Sequence, residues 1–99
     1  MTELVEKIKK IAQEVNVIPY WNERPKSTSI KRVLSFQRQV LSGTEEGTIL
    51  KAAERLKYYL YFLANNRDFI ENEADKTQWN NIVQKLEEII TENAHLLKL

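Results

Sequence analysis

Residues 48–65 read TILKAAERLKYYLYFLAN. Leu50, Ala53, Leu56, Leu60, Leu63 and Ala64 recur at three- and four-residue intervals, which on a helix of 3.6 residues per turn is one continuous apolar stripe. Alternation of the kind a half-buried strand requires is absent from the stretch, as are glycine and proline. Towards its end Tyr58-Tyr59-Leu60-Tyr61-Phe62 covers every direction around the axis. A helix apolar all round belongs at the centre of a structure, so part of this run must be core. Thr44 or Thr48 can cap the start, and Asn65-Asn66 is a plausible stop because Asn tolerates the left-handed conformation.

Working outward, three more segments carry helical periodicity. Upstream, Ile30, Val33, Leu34, Gln37 and Leu41 mark one face, widened by Phe36 and Val40. That helix opens near Ser27-Thr28-Ser29, whose hydroxyls suit orphaned backbone N–H groups, and closes at Ser42-Gly43, with Gly43 suited to a left-handed cap. Downstream, Trp79, Ile82, Val83, Leu86, Ile89, Ile90 and Leu97 form a long seam. Asp75 with Gln78 three residues on predicts the start of that helix as an aspartate form of the capping box. The first helix is predicted over about Thr2 to Val15 from Leu4, Ile8, Ile11 and Val15, with Val5 and Ala12 beside them. Between it and the second helix, Pro19 and Pro25 interrupt any helix, while Val17, Ile18, Tyr20 and Trp21 make the connection apolar. Trp21 is expected to pack against the bundle or to serve as an exposed anchor. Four amphipathic helices cannot bury their stripes alone. The expected fold is all-α: one domain over residues 1–99, a compact four-helix bundle with an irregular apolar linker between helices one and two.

Composition narrows the function classes. The 99 residues contain no cysteine, two glycines and two prolines. Disulfide scaffolds, thiolate metal sites and cysteine nucleophiles are thereby excluded. No apolar run is long enough to span a bilayer, and Met1 to Glu6 lacks the apolar region of a signal peptide, so the expected address is the cytoplasm, without membrane insertion. Net charge is +1, but its distribution is uneven. Residues 1–67 hold twelve Lys/Arg against seven Asp/Glu, and residues 68–99 hold three against seven. That asymmetry suggests a basic region for an anion and an acidic one for solvent or a basic neighbour. Ordinary scatter of charge over helix surfaces is the competing reading.

Catalytic constellations are missing. His95 is the sole histidine, so it cannot supply a multi-histidine metal site, and no nucleophile system is visible for it to serve as a general base. Glu87, Glu88 and Glu92 fall between the seam positions, where a di-metal bundle would need carboxylates pointing into the core. Gly43 and Gly47 belong to no phosphate-binding loop. A non-enzyme without cofactor or metal is expected.

Surface chemistry remains. Arg24 and Lys26 precede the second helix, which carries Lys31, Arg32 and Arg38 off its apolar stripe. Lys51 and Arg55 stand one turn apart on the third, with Tyr58 and Phe62 continuing that face, and Lys57, Tyr61 and Arg67 nearby. Cations neutralise phosphates, while aromatic rings and guanidinium planes stack on unpaired bases. The candidate nucleic-acid-binding set is therefore Arg24, Lys26, Lys31, Arg32, Arg38, Lys51, Arg55, Tyr58 and Arg67. The alternative is that Lys51 and Arg55 pair with Glu54 and neighbouring helices, which would contribute little.

Two families share parts of this pattern. The order of a first helix, an irregular segment, Ser27-Thr28-Ser29 opening a helix with Ile30 and Arg32, then Arg55-Leu56, Tyr58 to Phe62 and Arg67, resembles the small helical subunit of multi-subunit CRISPR effector complexes (Cascade-like or Csm-like). The family's glycine before the later arginine is Asn66 here. This resemblance implies a non-catalytic, RNA- or DNA-contacting subunit, present in several copies beside other protein subunits, with a basic face along the guide–target duplex or the displaced strand. Arg55-Leu56 followed by Tyr59-Leu60-Tyr61-Phe62 is also similar to the third helix of enterocin-type bacteriocin immunity proteins. That likeness implies a cytosolic four-helix bundle acting through protein–protein binding at a membrane receptor complex.

Overall fold

The computed structural model of the protein describes residues 2–17, 28–66, 70 and 72–97. Four helices account for most of them: α1 (Glu3–Gln13), α2 (Thr28–Ser42), α3 (Glu46–Ala64) and α4 (Glu73–Glu92), followed by a 3-10 turn over Ala94–Leu97. No strand occurs among the described residues. The buried side chains form one cluster running through all four helices. This is the expected all-α four-helix bundle, with principal extents of 37 × 21 × 21 Å.

α3 is the hub. It packs along α2 on one side and α4 on the other, while α1 meets all three. Leu50, Ala53, Leu56, Leu60, Leu63 and Ala64 of α3 are almost completely buried, as the stripe predicts, and Ile49, outside that stripe, is buried with them. Neighbours run antiparallel. Phe36 and Arg32 of α2 lie near Arg55 and Tyr59 of α3, and Lys57 and Asn65 of α3 bond Glu87 and Asn80 of α4.

Several ends differ from the sequence reading. α1 stops at Gln13, two residues early, with Thr2 outside the helix as its cap: the Thr2 hydroxyl accepts from the Val5 N–H at 3.2 Å. Val15 and Val17 are nonetheless buried, so the start of the linker packs into the bundle as its apolar character requires. Trp21, Arg24 and Lys26, with the rest of residues 18–27, lie outside the described residues.

Gly43 is not a left-handed cap, since no glycine has positive φ. α3 begins after Glu45, and neither Thr44 nor Thr48 caps it. Asn65 stands at φ −108°, outside the left-handed region; its side chain instead donates to the Tyr61 carbonyl at 2.9 Å. Asn72, not Asp75, caps α4: its side-chain oxygen accepts from the N–H groups of Ala74 and Asp75. The final seam is broken as well, because α4 ends at Glu92 and Leu97 belongs to the 3-10 turn. Leu41, assigned to the apolar face of α2, is 36% exposed at its edge.

Candidate nucleic-acid interface

The outer surface of α3 is built by helical arithmetic. Successive residues rotate by about 100°, so Lys51, Arg55, Tyr58 and Phe62 share one line along the helix away from the core. Among the described residues the exposed large apolar side chains are Leu41, Tyr58 (63%), Tyr61 (56%) and Phe62 (50%). Three of the four thus stand together on α3. Tyr59, one position from Tyr58, turns towards α2 and is half-buried, and Leu60 is core. The aromatic run is therefore divided between interior and surface, as its full-circle coverage demands.

α2 contributes the adjoining wall through an alternating stack of cations and rings. The Arg32 guanidinium lies 5.6 Å from the centre of the Tyr59 ring. Tyr59 stacks on Phe36 at 5.8 Å with planes 9° apart. The Arg55 guanidinium lies 5.8 Å from the Phe36 ring centre. Tyr58 meets Tyr59 edge-on at 5.2 Å. Each arginine is held by the negative face of a ring rather than by a carboxylate, so its position is fixed while its charge is left uncancelled.

No carboxylate lies within 4.0 Å of Lys31, Arg32, Arg38, Lys51 or Arg55 among the described residues, where the ion pairs are Lys7–Glu3, Lys57–Glu87 and Lys85–Glu14. The pairing of Lys51 or Arg55 with Glu54 does not occur.

The cations nevertheless do not form a single track. Lys31 and Arg38 are seven residues apart, nearly two turns, and so share one line on α2. Arg32 and Phe36 face α3 along another. Arg38 lies beside Leu34, Gln37 and Leu41, on the side of α2 where Gln37 bonds α1. The structure thus brings Arg32, Arg55 and Tyr58 together around the Phe36–Tyr59 stack, with Lys51 one turn along α3 from Arg55, and sets Lys31 and Arg38 apart. Arg24, Lys26 and Arg67 lie outside the described residues.

Phe36 and Tyr59 belong to this face, and the sequence reading did not place them in the candidate set. Phe36 and Tyr59 look like core on periodicity, and only the pairing of α2 with α3 reveals that they support the two arginines. On the opposite side of Tyr58, a groove of about 700 Å³ runs between α3 and α4, lined by Lys57, Tyr58, Tyr61, Val83, Glu87 and Glu88 among others. No group of three or more His, Asp or Glu side chains able to hold a metal ion exists among the described residues, and none of the helices is long and apolar enough to cross a membrane. Comparison of the chain with protein-family models, curated proteins and solved structures finds no match.

Proposed function

We propose that this chain is a non-catalytic, nucleic-acid-contacting subunit of a nucleoprotein complex in the cytoplasm, and that the face shared by α2 and α3 makes the contact. One observation carries the reading: Lys51 and Arg55 precede exposed Tyr58 and Phe62 along the outer line of α3, Arg32 stands beside them on α2 against Tyr59, and no carboxylate lies in ion-pair range of these cations among the described residues. Such a surface suits the two parts of an unpaired strand. The cations neutralise phosphates, and the rings offer a flat apolar surface to bases, which stack with little regard to sequence. Arg32 is also the basic position matched in the resemblance to CRISPR small subunits, and on that reading the strand would be the guide–target duplex or the displaced strand.

Fluorescence anisotropy of labelled single-stranded RNA and DNA across a salt series tests the proposal. Each phosphate neutralised on a single strand contributes about 0.7 to the negative slope of log affinity against log salt, so three cations predict a slope of roughly −2. A flat salt response, or no binding at low salt, rules the reading out.

A further inference from the structure

Tyr58 divides the outer face of α3 into two flanks of opposite charge, with Phe62 on the side of Lys51 and Arg55 and Tyr61 on the side of Glu54. Rotation by about 100° per residue turns Arg55 and Lys51 to the α2 side of Tyr58 and Glu54 to the α4 side. Across the groove on that second side stand Glu87 and Glu88 of α4. Glu87 is engaged by Lys57, whereas Glu54 and Glu88 make no ion pair among the described residues. The flanks are also level with each other. The contacts Lys57–Glu87 and Asn65–Asn80 set the antiparallel register of α3 and α4. Glu88 therefore lies opposite residue 56, about 1.5 Å along the axis from Arg55.

Such a face complements a copy of itself under one symmetry operation. A two-fold axis parallel to α3 and passing over Tyr58 exchanges the left and right flanks but not the heights. Arg55 of each copy then faces Glu54 and Glu88 of the other, while the tyrosines and Phe62 meet in the middle. A two-fold axis perpendicular to α3 would instead set like charges together. We propose that the free protein forms a symmetric homodimer through the outer face of α3, with the two α3 helices parallel and the basic flank of each copy against the acidic flank of the other. A single-patch isologous contact of this kind closes at two copies. Its footprint is one helix face, at or below the low end of stable interfaces, so association is weak, with a dissociation constant on the order of 100 µM. The dimer goes beyond the nucleic-acid reading and competes with it, since both use Arg55 and Lys51.

Sedimentation velocity of the full chain without nucleic acid, from about 10 µM to about 2 mM, measures this association. The expected weight-average mass rises from one chain towards two. Arg55→Glu and Glu88→Arg should each weaken association about tenfold or more, because like charges then face each other twice across the axis. Combining Arg55→Glu with Glu88→Arg should restore it to within about threefold of the unaltered chain. Both side chains are exposed, and circular dichroism confirms that the variants stay helical. A monomer throughout the range, a mass climbing past two chains, or association indifferent to the single reversals or unrestored by the pair would overturn the proposal. Oligonucleotide anisotropy is a separate readout, so failure of either interaction leaves the other measurement standing.

Discussion

The Cβ that alanine would add at Gly43 falls 2.6 Å from Cγ1 of Ile49 and 3.1 Å from the Gln39 carbonyl oxygen. Ile49 is fully buried in the first turn of α3, so its side chain has little space to retreat. The backbone at Gly43 needs no positive φ. Glycine is required there by the close approach of two helices across a short connection. Gly43→Ala should therefore cost about 1–3 kcal/mol through overpacking, lowering the thermal midpoint by roughly 5–15 °C in a chain of this size. Gly47→Ala, inside the first turn of α3 and also free of positive φ, should raise it slightly, because alanine is worth about 0.5–1 kcal/mol over glycine in a helix. Thermal denaturation followed by circular dichroism checks both, and equal midpoints for the two variants would contradict this account. At this scale sequence reading is weakest. Residue type alone predicts left-handed caps at Gly43 and Asn65, and both helices end by other means. The particulars that decide such positions, namely the approach of Ile49 or the reach of the Asn65 side chain to the Tyr61 carbonyl, come from tertiary contacts that no local pattern contains.

Gln37 explains why a polar residue occupies the buried line of α2. Its side-chain amide donates to the carbonyls of Ala12 at 2.8 Å and Val15 at 2.9 Å. Those carbonyls belong to the end of α1 and the residues just after it, where intrahelical donors run out. One side chain of α2 thereby closes the C-terminal end of α1, where the chain departs from the helix towards the linker. Gln37→Ala should destabilise the protein by about 1–2 kcal/mol, since it removes both bonds: the Ala12 carbonyl keeps the Val15 N–H at 3.2 Å, whereas the Val15 carbonyl loses its Gln37 donor. Chemical denaturation measures the loss, and hydrogen exchange should show it concentrated at the end of α1. A denaturation midpoint like that of the unaltered chain would dismiss the role. The elements themselves were legible because each rests on a long apolar stripe: Val5, Ile8, Ala12 and Val15 in and after α1, Ile30 and Val33 in α2, Trp79, Ile82 and Leu86 in α4 are all buried as their spacing requires. Their ends were less so. The cap of α4 stands three residues before the expected Asp75, because the Asn72 side chain reaches two backbone N–H groups and the helix is already under way from Glu73.

On the whole molecule, the charge imbalance between residues 1–67 and 68–99 becomes a division of surface only through the central placement of α3. α2 brings Arg32 to one side of α3, and α4 brings Glu87 and Glu88 to the other. Sequence spacing showed that Lys51, Arg55, Tyr58 and Phe62 share a line, because they belong to one helix. It could not show which cations of α2 join them, since that depends on how α2 is rotated about its own axis in the bundle. Ile30, Val33 and Val40 set that rotation by their burial, and it aims Arg32 at Tyr59 while leaving Lys31 and Arg38 elsewhere. This division separates specific use of one face from general attraction of a polyanion to any lysine or arginine. Replacing Arg32, Lys51 and Arg55 together by glutamine should reduce the salt slope of single-strand binding from roughly −2 to near zero, at about 0.7 per phosphate contact. Replacing Lys31 and Arg38 should leave the slope unchanged, although it removes two positive charges from the same region of the chain. Anisotropy titrations of both variants at several salt concentrations make the comparison. Comparable losses per charge removed from the two sets would mean that the protein attracts nucleic acid only through its overall field, and that the pairing of α2 with α3 builds no strand-binding face.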